Sequence, residues 1–123
     1  MDCYKLPLQN IKLIFTCEHA GNYIPPEFKI FFQEFKALLH SHRGMDFGAL
    51  SLARSLSAHF AAPLHYSRIS RLLIELNRNK RHPMLFSHIS KALENDRKQY
   101  ILRKYYDAYR QPILTDVPDK NLF

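Results

Sequence analysis

Three short polar clusters in this chain hold residue types that can do hydrolytic or ligand-binding chemistry. The first is Glu18-His19-Ala20-Gly21-Asn22, directly after an apolar run at residues 11–17. Zinc takes imidazole nitrogen and carboxylate oxygen, so a histidine beside a carboxylate at the end of a strand suits it. One His and one Glu fall short of the three protein ligands usual at a catalytic zinc. The plain alternative is a histidine whose ring bonds a backbone carbonyl. The second cluster is Ser70-Arg71 followed, after an apolar stretch, by Glu75-Leu76-Asn77-Arg78. An arginine presents a planar fork that matches a carboxylate with two parallel hydrogen bonds, and an adjacent asparagine adds a neutral donor. Asn77 and Arg78 thus suit the carboxylate of a small acidic substrate, or else form a solvated basic turn with Lys80 and Arg81. The third cluster, residues 42–50, contains Asp46. An aspartate there either caps the helix that follows or orients a metal-bound histidine from behind.

The elements that must position these clusters follow from apolar periodicity. Residues 11–17 are rich in branched and aromatic side chains and read as a buried strand of a parallel or mixed sheet, ending at Glu18-His19. Open α/β sheets gather ligands at such strand ends. Residues 20–26, with Gly21, Asn22, Pro25 and Pro26, read as a loop. Phe28, Phe31, Phe32, Phe35, Leu38 and Leu39 recur at spacings of three and four, one face of an amphipathic helix entered at Pro26. A second helix starts at Asp46, with Ala49, Leu52, Ala53, Leu56 and Phe60 as its buried stripe, and ends before Pro63. Residues 64–67 and 72–76 read as further short strands, and residues 77–94 as irregular. A last helix runs from Asp96 to about Arg110, with Ile101, Tyr105, Ala108 and Tyr109 on one face and Leu102, Tyr106 and Ile113 beside them. Pro112 and Pro118 end regular structure. The order strand, helix, helix, strand, strand, helix gives the fold class α/β.

Composition bounds the function classes. The 123 residues are 46% hydrophobic and 24% charged, enough for one core. The formal charge of +7 raises a nucleic-acid partner, but the basic residues are spread along the chain without the clustered, aromatic-interleaved face such a partner needs, and no nucleic-acid motif is present. No apolar run approaches the ~20 residues of a membrane span, and the first residues lack a signal-peptide pattern. The two cysteines, Cys3 and Cys17, lack metal spacing, and Cys17 reads as a small buried residue. The expectation is a soluble, reduced, cytoplasmic protein with neither nucleic acid nor membrane as partner.

Taken together and in order, the clusters resemble the N-formylglutamate amidohydrolase family. The stretch Thr16-Cys17-Glu18-His19-Ala20-Gly21-Asn22-Tyr23-Ile24-Pro25 is similar to its CEHASN-x-x-P opening, residues 41–50 to its H-x-x-W-D-x-G-A segment, and residues 67–78 to its SRL-x-x-D-x-NR segment. Met45 stands where the family often has Trp, and Glu75 where it often has Asp. The resemblance implies a partial sheet flanked by helices, like the N-terminal half of a zinc carboxypeptidase-like fold. It implies zinc-assisted hydrolysis of a small acidic N-acyl amino acid, the named reaction splitting N-formyl-L-glutamate into formate and glutamate in histidine breakdown. Carried over, His19 matches the first metal ligand, with Glu18 or Asn22 as the second. Asn77 and Arg78 match the carboxylate-binding pair, and Asp46 and Arg71 match catalytic-motif positions. Family members run to about twice this length, and their later His-Ser-Phe segment is absent. The expectation is therefore a single, truncated domain over residues 1–123, with self-association or a complementing C-terminal half as partner. A degenerate, non-catalytic anion-binding module is the alternative.

Overall fold

The computed structural model describes residues 11–117. Two strands, β1 (Phe15–Cys17) and β2 (Leu64–Tyr66), pair in parallel with Phe15 opposite Leu64 and Cys17 opposite Tyr66. A parallel pair needs a crossover, and here the crossover carries Glu18, His19 and Asp46. It holds a 3-10 run (Pro26–Phe35), the short helix α1 (Lys36–Leu39) and the helix α2 (Ala49–Phe60). After β2 come a long irregular stretch, a 3-10 turn (Ser90–Ala92), and a continuous helical rod. The rod comprises α3 (Asn95–Ile101), a π-helical segment (Leu102–Asp107) and α4 (Ala108–Asp116).

The α/β class holds, and the sheet is layered between helices. Alternate side chains of a strand point to opposite faces. Cys17 packs with Ala20 and Ala53, against Ala49, Leu50 and Leu64, on the α2 side. On the other side His65 bonds Asp116 of α4 through Nε2 and Oδ2 at 2.7 Å. The tip of β1 is held against the chain after β2 by Ala20 N–H to the Ser67 carbonyl (3.1 Å) and Tyr23 N–H to the Arg68 carbonyl (2.9 Å). Gly21 makes that approach possible, because a Cβ there would stand 2.8 Å from the Arg68 carbonyl oxygen.

The main core lies beside the sheet rather than on it. Phe28, Phe32, Leu73, Ile74, Leu76 and Ile101 are its largest fully buried side chains. The expected strand at 72–76 is a correction. The stretch is buried as its composition requires, but it forms consecutive turns. Leu73 and Ile74 N–H groups bond the Ser70 carbonyl (3.0 and 3.4 Å). The Ser70 hydroxyl accepts the Leu72 N–H (3.2 Å) and donates to the Gly44 carbonyl (3.0 Å). A serine side chain here gives the backbone local partners in place of a ladder.

Four further expectations are corrected. The first helix is mainly 3-10, and Phe31 is exposed, lying under the Arg97 guanidinium 5.3 Å from its ring centre. Along α2 only Ala53 is buried, while Leu52 is 62% and Phe60 51% exposed. In the last helix the wider π turn brings Ile101 and Tyr106, five residues apart, onto the buried face, and leaves Ala108 exposed. Pro112 lies inside α4, which continues to Asp116. The proline removes one N–H donor, at a helix already departing from regular i→i−4 bonding. Pro118 lies outside the described residues. No helix among the described residues is long and apolar enough to cross a membrane.

Leu73→Ala empties a fully buried position and should lower unfolding free energy by about 2–5 kcal/mol in a urea titration. Leu52→Ala should stay within about 0.5 kcal/mol.

Candidate active site

The polar clusters converge at the C-terminal end of β1. His19 follows β1 directly, and its carbonyl accepts the Asp46 N–H at 3.0 Å, so the start of the α2 segment is fastened to the strand tip. The His19 ring is held at both nitrogens. Nδ1 meets Asp46 Oδ2 at 3.0 Å, and Nε2 bonds Glu75 Oε1. Arg71 binds both carboxylates. Its Nε and Nη2 reach Glu75 Oε2 at 3.2 and 3.0 Å, and its Nη1 reaches Asp46 Oδ1 at 3.5 Å. Glu75 Oε1 also accepts the Asn77 N–H at 3.2 Å. The carboxylates and cations alternate, so each charge faces its opposite.

Asp46 therefore does not cap α2 with its side chain. Gly48, with φ of 79°, occupies the N-cap without a side-chain bond. A left-handed residue there favours glycine and leaves the Asp46 carboxylate for His19 and Arg71.

Burial and charge act in opposition on the His19–Glu75 pair. Burial favours the neutral imidazole, but the bonds and charge of Glu75, with Asp46, outweigh it and raise the His19 pKa above its ordinary value of 6.5. Burial likewise favours a neutral Glu75, but His19, the Asn77 amide and Arg71 outweigh it and lower the Glu75 pKa below 4.5.

A cleft of about 470 Å³ beside this network is lined by Glu18, His19, Asp46, Arg71 and Asn77 together with apolar Phe15, Ala49, Leu52, Ala53 and Leu56. Tyr109 of α4 reaches the strand tip from the opposite layer and donates to the His65 carbonyl at 3.3 Å. Burial, and then the neighbouring Glu18 carboxylate, push its phenol pKa upward. Arg78 stands in an adjoining cleft of about 360 Å³ shared with Arg71 and Glu75. Its Nη1 lies 3.3 Å from His82 Nε2, and its carbonyl accepts the Tyr106 hydroxyl at 2.6 Å. Asn22 is elsewhere. Its side-chain amide donates to the Leu39 carbonyl at 3.0 Å and lies 3.3 Å from His40 Nδ1, lining a cleft that excludes His19.

The structure thus gathers His19, Glu18, Asp46, Arg71 and Asn77 in one cleft and sets Arg78 next door. Glu75 is the residue that composition and spacing passed over. Its signal was its place four residues after Arg71, the spacing at which side chains on one turn meet. Imidazole with carboxylates is a donor set of the right kind for zinc, but not of the right number. Among the described residues no three His, Cys, Asp or Glu side chains converge as a metal cage.

The family model for N-formylglutamate amidohydrolase matches residues 11–119. The chain belongs to the N-formylglutamate amidohydrolase family. A crystal structure of a gene product from Agrobacterium tumefaciens is similar over 81% of this chain, with 28% identity and a TM-score of 0.73. The chain spans 43% of that protein's length. No curated protein sequence matches at a significant level.

The pair has a definite pH signature in the metal-free chain. A raised His19 pKa contributes stability that is full below pH 6.5 and fades as pH rises through the raised value. A lowered Glu75 pKa contributes stability that is full above pH 4.5 and fades as pH falls through the lowered value. Denaturant titrations in chelator should show this contribution intact between pH 4.5 and 6.5 and declining above it. Glu75→Gln should flatten the decline, and a wild-type profile already flat above pH 6.5 would contradict the pairing.

Proposed function

We propose that this chain carries part of a hydrolase site for the amide bond of a small N-acyl amino acid, N-formyl-L-glutamate being the first substrate to test. The observation that supports it most is the convergence of His19, Asp46 and the Arg71–Glu75 turn from three separate parts of the chain into one hydrogen-bonded network. An ordinary capping histidine needs no such company.

Each residue then has a task. Arg71 and Asn77, with Arg78 from the adjoining cleft, offer the cationic and amide donors that bind and orient the substrate carboxylate. Asp46 fixes the His19 ring through Nδ1. Glu75 holds the proton of Nε2 in the metal-free state and is itself held by Arg71. We assign zinc as the cofactor, with His19 and Glu18 as its ligands in this chain and Asn22 set aside because it lies in another cleft. A zinc ion, when bound, polarises a carbonyl and lowers the pKa of bound water to roughly 7. The remaining donor has to come from outside the described residues.

A second reading has its own support. Both nitrogens of His19 are engaged by carboxylates, a closed arrangement that serves a non-catalytic pocket for an acidic ligand equally well.

The test is formate release from N-formyl-L-glutamate with zinc added. Release that depends on zinc and is lost in His19→Ala supports the hydrolase. Arg78→Ala should then raise KM by about 10- to 100-fold, the loss of one charged hydrogen-bonding partner. Release that survives His19→Ala contradicts the assignment. Saturable calorimetric binding of glutamate in chelator by a chain that takes up no zinc supports the binding module instead.

A further inference from the structure

Outside the candidate active site, a cleft of about 620 Å³ is lined by the loop after β1 and by the helical segment from Lys29 to His40. Small-molecule sites span roughly 300–1,000 Å³. The lining includes the buried apolar side chains of Ile24 and Phe32 and the half-exposed Tyr23 ring. Its polar part is one-sided. Lys29, Gln33, Lys36 and His40 recur at spacings of three and four, which sets them along one side of the segment. No carboxylate lines the cleft, and neither do His19, Arg71 or Arg78. Among the described residues, neither lysine ammonium group has an ion-pair or hydrogen-bond partner.

His40 adds a donor whose position is set by Asn22. The Asn22 side-chain amide donates to the Leu39 carbonyl at 3.0 Å, and the same nitrogen lies 3.3 Å from His40 Nδ1. An amide nitrogen only donates, so His40 Nδ1 accepts, and the hydrogen of the neutral ring sits on Nε2. Among the described residues Nε2 has no partner. The cleft therefore offers two unpaired ammonium groups and an imidazole N–H beside apolar surface, with no anion to balance them.

From this one-sided donor set we infer that the cleft is a binding site for a small organic anion with an apolar body, separate from the site at His19. The oxyanion group meets Lys36 and His40, one helical turn apart, and the body covers Ile24, Phe32 and Tyr23. Removing that body from water supplies affinity, and the charged hydrogen bonds supply orientation. Asn22, which the zinc assignment sets aside, gains a task here as the residue that fixes the His40 tautomer. The inference stands on this cleft alone and is independent of the hydrolase reading.

The experiment is a titration of the isotope-labelled chain with 4-phenylbutyrate in chelator, followed by amide NMR and calorimetry. The expected result is saturable one-to-one binding that moves the Tyr23, Lys36 and His40 signals. Butyrate, which lacks the ring, and 4-phenylbutanol, which lacks the charge, should each bind at least about tenfold more weakly. Lys29→Gln and Lys36→Gln should each weaken binding about threefold, and roughly tenfold together. Arg54→Gln removes an equal charge from α2, outside the cleft, and should leave binding unchanged. These three side chains are exposed, so the melting temperature of each variant should match the parent chain. Absence of saturation, equal binding of 4-phenylbutanol, or binding indifferent to the two lysines would overturn the inference. An equal loss in Arg54→Gln would reduce it to general charge attraction and overturn it too. Loss of binding in Arg78→Ala would place the probe in the active-site cleft and reject a separate site.

Discussion

The structure depends on one imidazole being held at both ends. His19 leaves the tip of β1 and is gripped by Asp46 on one nitrogen and Glu75 on the other, while Arg71 ties the two carboxylates together. Burying such groups singly would be costly. Here His19 and Glu75 are the largely enclosed members, Asp46 and Arg71 reach solvent, and the alternating charges compensate one another. This constraint explains why the chain after β1 and after β2 is so tightly specified. Gly21 lets the strand tip approach Arg68, Gly48 starts α2 without a side-chain cap, and Ser70 folds the apolar stretch into turns that present Arg71 and Glu75 on one side.

The apolar core serves that presentation. Leu73, Ile74 and Leu76 are buried between the Phe28–Phe32 face and the Ile101–Tyr106 face. Ile74 and Leu76 flank Glu75 in the chain, so the turns cannot rotate without exposing the apolar side chains or burying the polar ones. The sheet contributes little area, since it has two strands of three residues each. Its role is to fix direction: β1 and β2 run the same way, and the site sits beyond their C-terminal ends, where open α/β sheets place ligands.

Much of this was legible in the residues. The apolar run before Glu18-His19 marked β1, Pro63 marked the end of α2, and the three clusters in order carried the family resemblance that the family match bears out. The rest was hidden for physical reasons. Residues 72–76 have the composition of a buried strand, and burial alone cannot separate a strand from packed turns; Ser70 decided it through its side-chain bonds. The π turn that exchanged Tyr106 for Ala108 on the buried face leaves no mark on a periodicity of 3.6. The α2 stripe was read as buried because Leu52 and Phe60 are large and apolar, which holds only when something covers them. Asp46 read first as a helix cap and only second as a partner of His19, and the Gly48 N-cap together with the bond to His19 decides for the second role. Glu75 looked like one acid in an apolar run until the turn placed it on His19.

Nitrogen NMR of the His19 ring tests the central claim most directly, because it reads each ring nitrogen separately. The account predicts a ring in the metal-free chain whose titration midpoint lies above the ordinary 6.5, and which loses a proton from one nitrogen when zinc is added. A ring that titrates at its ordinary value in the wild type, is insensitive to Glu75→Gln, and does not respond to zinc would contradict it.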